Sequence, residues 1–206
     1  MRRTTAARLI AAVLAALATV FVAACGDEEE AGAGSAGNGV DRAFVAEMIP
    51  HHESAVEMAG MAKERGQHQE VTRLAGEIIE AQNAEIRTMT GLADRLDAAG
   101  VEKGDLGLAD HEMGMSGDMD DLESAKPFDR AFIDAMIPHH QGAIRMARAE
   151  IAKGQSPEAK RLAEAIIEAQ TKEIDDMNTW RVDWYGGLSP AGGVPPEDED
   201  MEDVGH

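Results

Sequence analysis

The chain of 206 residues contains few aromatic residues and only one cysteine. Phe, Trp and Tyr make up 3% of it, so a hydrophobic core must consist mainly of Leu, Ile, Ala and Met, and Met occurs 12 times. The lone cysteine excludes an internal disulfide. No stretch alternates apolar and polar residues with a period of two, which argues against a β-sheet. The sequence therefore predicts an all-α protein.

Positive charge is also scarce. The chain has 19 Lys and Arg against 39 Asp and Glu, which gives a formal net charge of −20. Residues 1–24 contain three Arg and no acid, so their removal would move this charge to about −23. A protein of this charge is a poor partner for nucleic acid or anionic lipid, whereas metal cations are reasonable partners.

The long apolar run lies at the N-terminus, from Leu9 to Ala24, behind several arginines. It is too short for a membrane-spanning helix and predicts a signal peptide over residues 1–24. The sequence "VAAC", which ends at Cys25, resembles a bacterial lipobox and predicts lipidation of that thiol. Ordinary secretion with a spare thiol is the alternative. Either interpretation predicts an extracytoplasmic protein, anchored to the cell membrane through lipid alone or secreted.

Composition divides the rest of the chain into three parts. Residues 25–40 are acidic and then Gly/Ala-rich, which predicts a flexible tether. Residues 187–206 are Pro/Gly-rich and acidic, which predicts a disordered tail. Residues 41–186 are long enough for one small domain.

That domain contains an internal duplication. The segments "DRAFVAEMIPHHESAVEMA" (41–59) and "DRAFIDAMIPHHQGAIRMA" (129–147) align without gaps at an offset of 88 residues, and "LAGEIIEAQNAEIRTM" (74–89) aligns with "LAEAIIEAQTKEIDDM" at the same offset. All four segments show helical spacing of apolar residues. Repeat units 41–100 and 129–186, joined by a linker over 101–128, therefore predict two helical hairpins packed as an antiparallel four-helix bundle.

The pentapeptide "MIPHH" occurs once in each unit and contains four of the seven histidines. On a helical wheel these histidines flank the inward face, and methionines lie near them. The prolines either kink a continuous helix or start a new one, and continuous apolar spacing favours the kink. Buried hydrogen-bonded pairs are the alternative role for the histidines. The predicted metal ligands are His51, His52, His139, His140, Met48, Met58, Met136 and Met146.

Imidazole with thioether points to copper, because thioether suits Cu(I) and imidazole suits both copper states. Zinc would favour thiolate or carboxylate beside His. The linker segment "HEMGMSGDM" adds soft donors, although it could also be an ordinary polar loop. An unperturbed imidazole titrates at about pH 6.5, so Cu(II) should be released between about pH 7 and 5. Cu(I), which also binds thioether, should be retained better over the same pH range. The additional predicted ligands are His111, Met113, Met115 and Met119.

A carboxylate-bridged di-iron site is less consistent with the sequence. Such sites in bundles use Glu-x-x-His on two helices, and no Glu-x-x-His occurs here. Glu85 and Glu173 lie on or near the inward stripes, where hydrogen bonds or salt bridges at the bundle edge are their expected role. Iron is therefore a less favoured cofactor than copper.

The twin "MIPHH…A..MA" blocks, each followed by "AQ..EI..M", resemble the domain of unknown function 305 family over nearly all of 41–186. The resemblance implies a secreted or membrane-tethered, ferritin-like four-helix bundle. It also implies copper binding by the eight His and Met residues of the two blocks, since some members bind copper. One departure is that the second unit contains Trp180 and Trp184 where the first has no Trp, so two equal sites should not be assumed.

We predict a copper-binding protein that buffers, sequesters or passes on copper. The sequence contains no nucleophile–base constellation and no cofactor loop, so an enzyme is not expected. Two alternatives stay open: a ferritin-like di-metal oxidoreductase, and a metal-free surface interaction module whose histidines are buried polar pairs. A copper-transfer partner and a homo-oligomer are also open.

Overall fold

The computed structural model describes residues 36–115 and 119–197. Among these residues all regular structure is helical, which confirms the predicted all-α fold class. The predicted signal peptide, Cys25 and tether residues up to 35 lie outside the described residues. No described helix is both long and apolar enough to cross a membrane.

Four long helices form two hairpins, α1 with α2 and α4 with α5, and α1 packs against α4 between the hairpins. The linker contributes a 3-10 turn (Asp110–Met113) and the short helix α3. Each hairpin corresponds to one of the two repeat units found in the sequence. The helices are α1 (Gly39–Arg65), α2 (Gln69–Ala98), α3 (Met119–Ser124), α4 (Phe128–Lys153) and α5 (Pro157–Tyr185).

The helix ends follow local signals in the sequence. Ser156 caps α5 by accepting a hydrogen bond from the Ala159 N–H, and Pro157 is the first helical residue, a position that suits proline. Gly66 and Gly154 terminate α1 and α4. Asn38 caps α1, so part of the predicted tether is already ordered at the helix start.

The two prolines of the repeated pentapeptide lie inside continuous helices. Pro50 is within α1 and Pro138 is within α4. The interpretation that each proline starts a new helix is therefore wrong. Helix formation continues on both sides because the buried residues before and after each proline share one face of the helix.

A buried aspartate in the first turn of each hairpin caps the turn of the other hairpin. Asp41 of α1 accepts backbone N–H hydrogen bonds from Gln155 and Ser156, at 2.7–3.1 Å. Asp129 of α4 accepts the equivalent bonds from Gln67 and His68, at 2.8–3.1 Å. These bonds satisfy donors at the starts of α5 and α2, and they join the two hairpins around a pseudo-twofold axis.

The core consists of two apolar clusters. One contains residues 55–62 of α1 and 71–78 of α2 with Ile174 and Met177 of α5. The other contains the first turns of α1, the last turns of α2 and the first turns of α5. The four histidines of the two MIPHH segments lie between these clusters along the bundle, because α1 and α4 run antiparallel. A polar layer therefore divides the core.

The predicted disorder of the C-terminal segment is wrong for residues 187–197. The Gln141 side chain donates to the carbonyls of Ala191 and Gly193 at 2.9 and 2.5 Å. Asn178 donates to Gly192 at 2.8 Å and accepts from the Ser189 N–H at 3.1 Å. Two amide side chains on α4 and α5 thus hold a segment whose composition alone indicates disorder. Residues 198–206 lie outside the described residues.

Candidate metal centre

The polar layer contains all four histidines of the repeated pentapeptides. Their exposed fractions are 1% for His51, 0% for His52, 3% for His139 and 0% for His140. Each pair is adjacent in sequence on α1 or α4, so its two rings leave the helix about 100° apart and both reach the interior. The fold therefore brings together the residues that the sequence singled out.

His51 and His139 meet at the centre of this layer. Their ring centroids are 3.7 Å apart with the ring planes inclined by 38°. His52 and His140 lie to either side, with centroids 6.3 Å from His51 and 6.4 Å from His139 respectively. The nearly equal distances show that the two halves of the layer are related by the same pseudo-twofold axis as the hairpins.

Each outer histidine contacts a carboxylate of its own hairpin. His52 Nε2 is 2.8 Å from Glu85 Oε2, and His140 Nε2 is 2.6 Å from Glu173 Oε2. These contacts agree with the hydrogen-bonding role expected for the two glutamates. The sequence did not reveal their partners, although the histidine-to-glutamate spacing of 33 residues in both units was a usable signal.

Most other polar atoms of the layer have no hydrogen-bond partner within the protein. Neither ring nitrogen of His51 or His139 makes a hydrogen bond of good geometry, although backbone groups of Met113 and His139 lie near the His51 ring, and Nδ1 of His52 and of His140 is also unpaired. A buried polar atom without a partner costs about 1–3 kcal/mol. A purely structural histidine pair would be expected to have partners, whereas imidazole lone pairs directed at a cation would be satisfied by it. The Oε1 atoms of two further buried side chains are also unpaired: Gln82 and Gln170.

Electrostatics keep the central imidazoles neutral. Burial, and then the neighbouring His52 and His140, lower the pKa of His51 to about 3. Burial, and then His51 and the other histidines, hold the pKa of His139 well below its ordinary value. Neutral imidazole is the form that binds metal ions, so both rings are competent ligands at neutral pH.

The predicted methionine ligands are buried on both sides of the histidine layer. Met48 and Met146 belong to the cluster at one side, and Met58 and Met136 to the cluster at the other. Their exposed fractions are between 0% and 3%. No three His, Cys, Asp or Glu side chains within the described residues are grouped so as to hold a metal ion. The four thioethers are thus buried in the two apolar clusters on either side of the histidine layer.

The predicted linker ligands are more exposed. His111 lies on the surface and Met115 is 48% exposed, whereas Met113 is partly buried against the core. The Met119 side chain lies outside the described structure. Of the described linker side chains, His111 and Met115 therefore lie apart from the buried layer, whereas Met113 lies beside it.

The linker nevertheless passes close to this layer, which the sequence did not reveal. A Cβ atom on Gly142 of α4 would lie 2.1 Å from the Met113 carbonyl oxygen, and one on Gly114 would lie 2.5 Å from the Pro138 carbonyl oxygen. The first repeat has Ser54 in place of Gly142. The 3-10 turn thus packs on α4 beside His139, and the outer surfaces of α1 and α4 are not equivalent.

A separate apolar groove lies between the linker and α4. Its volume is about 430 Å³, and Leu106, Leu108, Ala149 and Ile167 contribute to its wall together with Arg145 and Lys153. None of its lining residues is a predicted metal ligand. This groove therefore contributes none of the predicted metal ligands.

The fold and the site together define an all-helical duplicated bundle with histidine and methionine at its centre. The chain belongs to the family described as domain of unknown function (DUF305), whose model matches residues 41–181.

Solved structures of related proteins share this fold. CopM in its Cu(I)-bound form is 37% identical, with a TM-score of 0.60, and the match covers 71% of this chain and 98% of that one. CopM has also been solved in apo, Ag-bound and Cu(II)-bound forms. A candidate secreted DUF305 protein from Streptomyces coelicolor is 28% identical, with a TM-score of 0.62, and the match covers 73% of this chain and 96% of that one.

A curated relative matches over a shorter segment. The uncharacterized protein L153 of Acanthamoeba polyphaga mimivirus is 39% identical over 51 residues, which are 25% of this chain and 34% of that protein. The chain thus spans about a third of the length of this relative.

Proposed function

We propose that this protein binds copper in the buried histidine layer and buffers, sequesters or passes on copper outside the cytoplasm. The observation that carries this proposal is the set of unpaired, buried imidazole nitrogens at the meeting point of α1 and α4. The similarity to CopM, which has been solved with Cu(I), Cu(II) and Ag, supports it.

The available donor atoms favour copper over other ions. Imidazole nitrogen binds both copper states, and thioether sulfur is a soft, neutral donor suited to Cu(I). The layer lies between two groups of buried methionines, so an ion there would have both donor types within the core. The proposed ligands are His51, His52, His139, His140, Met48, Met58, Met136 and Met146.

Copper handling at the cell surface would fit the N-terminal sequence. In this proposal residues 1–24 are a signal peptide, and Cys25 is lipidated and attaches the protein to the membrane. The linker donors then act as a first capture site for Cu(I). That site would consist of His111, Met113, Met115 and Met119.

Metal titration of the purified full chain tests this function. Cu(I), Cu(II), Zn(II) and Fe(II) are added separately, and bound metal is measured after desalting. We expect copper to be retained most strongly, and His51→Ala/His139→Ala to lose the tight copper site while its helical circular dichroism is preserved. A folded double variant with the affinity of the wild type would contradict the assignment.

Two further variants separate the linker from the buried layer. His111→Ala should leave the tight site intact, because His111 lies on the surface. Replacing Met113, Met115 and Met119 with Leu should lower the Cu(I) stoichiometry without changing the thermal midpoint, since Leu resembles Met in size and apolarity. An unchanged stoichiometry would mean that the linker captures no copper.

One observation favours a second function. Glu85 and Glu173 directly contact His52 and His140, so carboxylate and imidazole are adjacent in both halves. This is the donor combination of ferritin-like di-metal oxidoreductases. Preferential retention of Fe(II), with a visible absorption from a carboxylate-bridged site after exposure to air, would support that function in place of copper binding.

A further inference from the structure

The two carboxylate–imidazole contacts at the sides of the histidine layer have a defined geometry. Glu85 and Glu173 approach the Nε2 atoms of His52 and His140, at 2.8 and 2.6 Å. Both imidazoles are fully buried, whereas the two carboxylates retain side-chain exposures of 19% and 17%. Each glutamate therefore lies between the solvent and the buried ring.

This geometry determines which ring nitrogen is left for a ligand. A carboxylate can only accept, so Nε2 must carry the hydrogen that joins it to Glu85 or Glu173. The other nitrogen, Nδ1, is buried in both rings and has no partner within the protein. A doubly protonated ring would bury an N–H at Nδ1 with no acceptor, so the neutral form with hydrogen on Nε2 fits both environments.

We propose that Glu85 and Glu173 are positioning residues that fix His52 and His140 as Nε2–H tautomers and thereby present Nδ1 to copper. This inference rests on the copper-binding function proposed above. Carboxylates that accept the second N–H of a ligand histidine set its tautomer, orient its ring and raise its basicity.

The same two residues supply negative charge to the centre. Imidazole and thioether ligands are neutral, and a cation in an apolar core is unstable without a nearby countercharge. Glu85 and Glu173 provide one carboxylate on each side of the layer. Their effect should be larger for Cu(II) than for Cu(I), because the Coulomb interaction scales with the charge of the ion.

The internal repeat places the same contact in both halves of the layer. Two exposed neighbours differ between the units, with Ala84 opposite Lys172 and Arg87 opposite Asp175, whereas the adjacent Ile86 and Ile174 are identical. Glu85 and its mate Glu173 are identical, and they make the same contact in both halves.

Variants of the two glutamates test the proposal in the full chain. Glu85→Gln/Glu173→Gln keeps an oxygen that accepts the Nε2–H hydrogen bond but removes the charge. Glu85→Ala/Glu173→Ala removes both. Glu80→Gln/Glu168→Gln is the matched control, because these exposed residues occupy equivalent positions of the same two helices.

The first measurement needs no metal. Two-bond ¹H–¹⁵N NMR of histidine-labelled, metal-free protein reports which ring nitrogen carries hydrogen. We expect His52 and His140 to be Nε2–H tautomers in the wild type, in the Gln variant and in the control. The Ala variant should show a mixture of tautomers. A wild type with Nδ1–H at these residues, or an Ala variant unchanged from the wild type, would overturn the proposal.

The second measurement is the affinity for Cu(II) and Cu(I), determined by competition with a chelator. Loss of a residue that orients a ligand typically lowers metal affinity by about 10- to 100-fold. We expect about 10-fold weaker Cu(II) binding in the Gln variant and about 100-fold in the Ala variant, with smaller losses for Cu(I). The control should match the wild type.

The outcomes distinguish this proposal from the function on which it rests. Tight copper binding that is insensitive to both glutamate variants would overturn the positioning role and leave the copper function standing. A wild type that binds no copper would overturn the proposed function and, with it, Nδ1 as a copper ligand. X-ray absorption that detects a carboxylate oxygen bound to copper would also overturn the proposal, because the glutamates would then be direct ligands.

Discussion

At the scale of single residues, Glu150 is an acid in an unfavourable position. Its side chain is fully buried on α4, beside the carboxyl group of Asp41. Burial, followed by the adjacent Asp41, raises the pKa of Glu150 to about 8. Asp41 is also buried, but the neutral Glu150 and three backbone N–H groups hold its pKa below the ordinary value.

This arrangement predicts a stability that declines as the pH rises. Glu150 ionises near pH 4.5 in the unfolded chain and at about pH 8 in the folded chain. Folding therefore takes up a proton between these two pH values. The free energy of unfolding should therefore be highest, as far as Glu150 determines it, below about pH 4.5 and should decrease until about pH 8. Glu150→Gln should remove the decline and raise the free energy of unfolding at pH 8 by about 2–4 kcal/mol.

Urea denaturation at pH 5 and pH 8 measures this effect. The gain from Glu150→Gln should be much larger at pH 8, and Glu164→Gln, at an exposed position of α5, should show no comparable gain. Equal gains at the two pH values would mean that Glu150 does not titrate in this range.

At the scale of helices, the bundle depends on bonds that connect one hairpin to the other. Asp129 accepts two backbone N–H bonds at the α1–α2 turn and lies 2.6 Å from His68 Nδ1. The His68 ring stacks on Trp184 with centroids 3.7 Å apart. At the equivalent position Asp41 accepts from the Ser156 N–H, and Ser156 has no ring to stack on a tryptophan, so the two ends of the bundle differ.

Removing the cross-hairpin cap should destabilise the whole protein. Asp129→Ala would leave the Gln67 and His68 N–H groups without their acceptor, at a cost of about 2–4 kcal/mol. Asp176→Ala removes an exposed aspartate paired with Lys172 and should cost much less, because solvent screens this ion pair. Chemical denaturation followed by circular dichroism compares the two. A loss for Asp129→Ala no greater than that for Asp176→Ala would show that the cap contributes little.

At the scale of the whole molecule, the histidine layer couples folding to protonation and, through the proposed site, to copper. The folded-state pKa of His51 is about 3, and that of His139 is also well below its ordinary value. A lowered histidine pKa means that the folded state resists protonation. The contribution of these neutral imidazoles to the free energy of unfolding is complete above about pH 6.5 and is lost as the pH falls toward about 3.

The structure therefore changes the pH at which copper should be released. An unperturbed imidazole would release Cu(II) between about pH 7 and 5. Buried His51 takes up protons only near pH 3, so we expect Cu(II) to stay bound through about pH 5 and to leave together with acid unfolding. Copper loading should shift the acid-unfolding midpoint to lower pH.

Bound copper and helical circular dichroism, measured in parallel, check this expectation. The measurements run between about pH 8 and 3, a range that spans the ordinary and the lowered imidazole titrations. His51→Leu/His139→Leu should weaken the acid dependence of the metal-free protein, because it removes both buried imidazoles. Release of Cu(II) above pH 5 from a fully helical protein would contradict the expected coupling between copper release and unfolding.

Much of the fold could be predicted from the sequence, because local patterns encode it. The duplication, the helical spacing, the Ser156–Pro157 start and the glycine ends all depend on residues within a few positions of each other. The repeated pentapeptide likewise identified the four histidines of the layer. The composition of the tail was misleading, because the anchoring residues Gln141 and Asn178 lie on helices 46 and 9 residues before it begins at 187.

Only the tertiary structure decided how these parts meet. It placed His51 against His139, which are 88 residues apart, and brought Asp129 to the turn before α2. It also paired His52 with Glu85 and buried Glu150 beside Asp41. Helical periodicity fixes which face of a helix is buried, but it does not fix which residue of another helix lies opposite. That choice depends on antiparallel packing of the two hairpins, and the packing determines which nitrogens are paired, which are left for a metal ion, and which acids remain protonated.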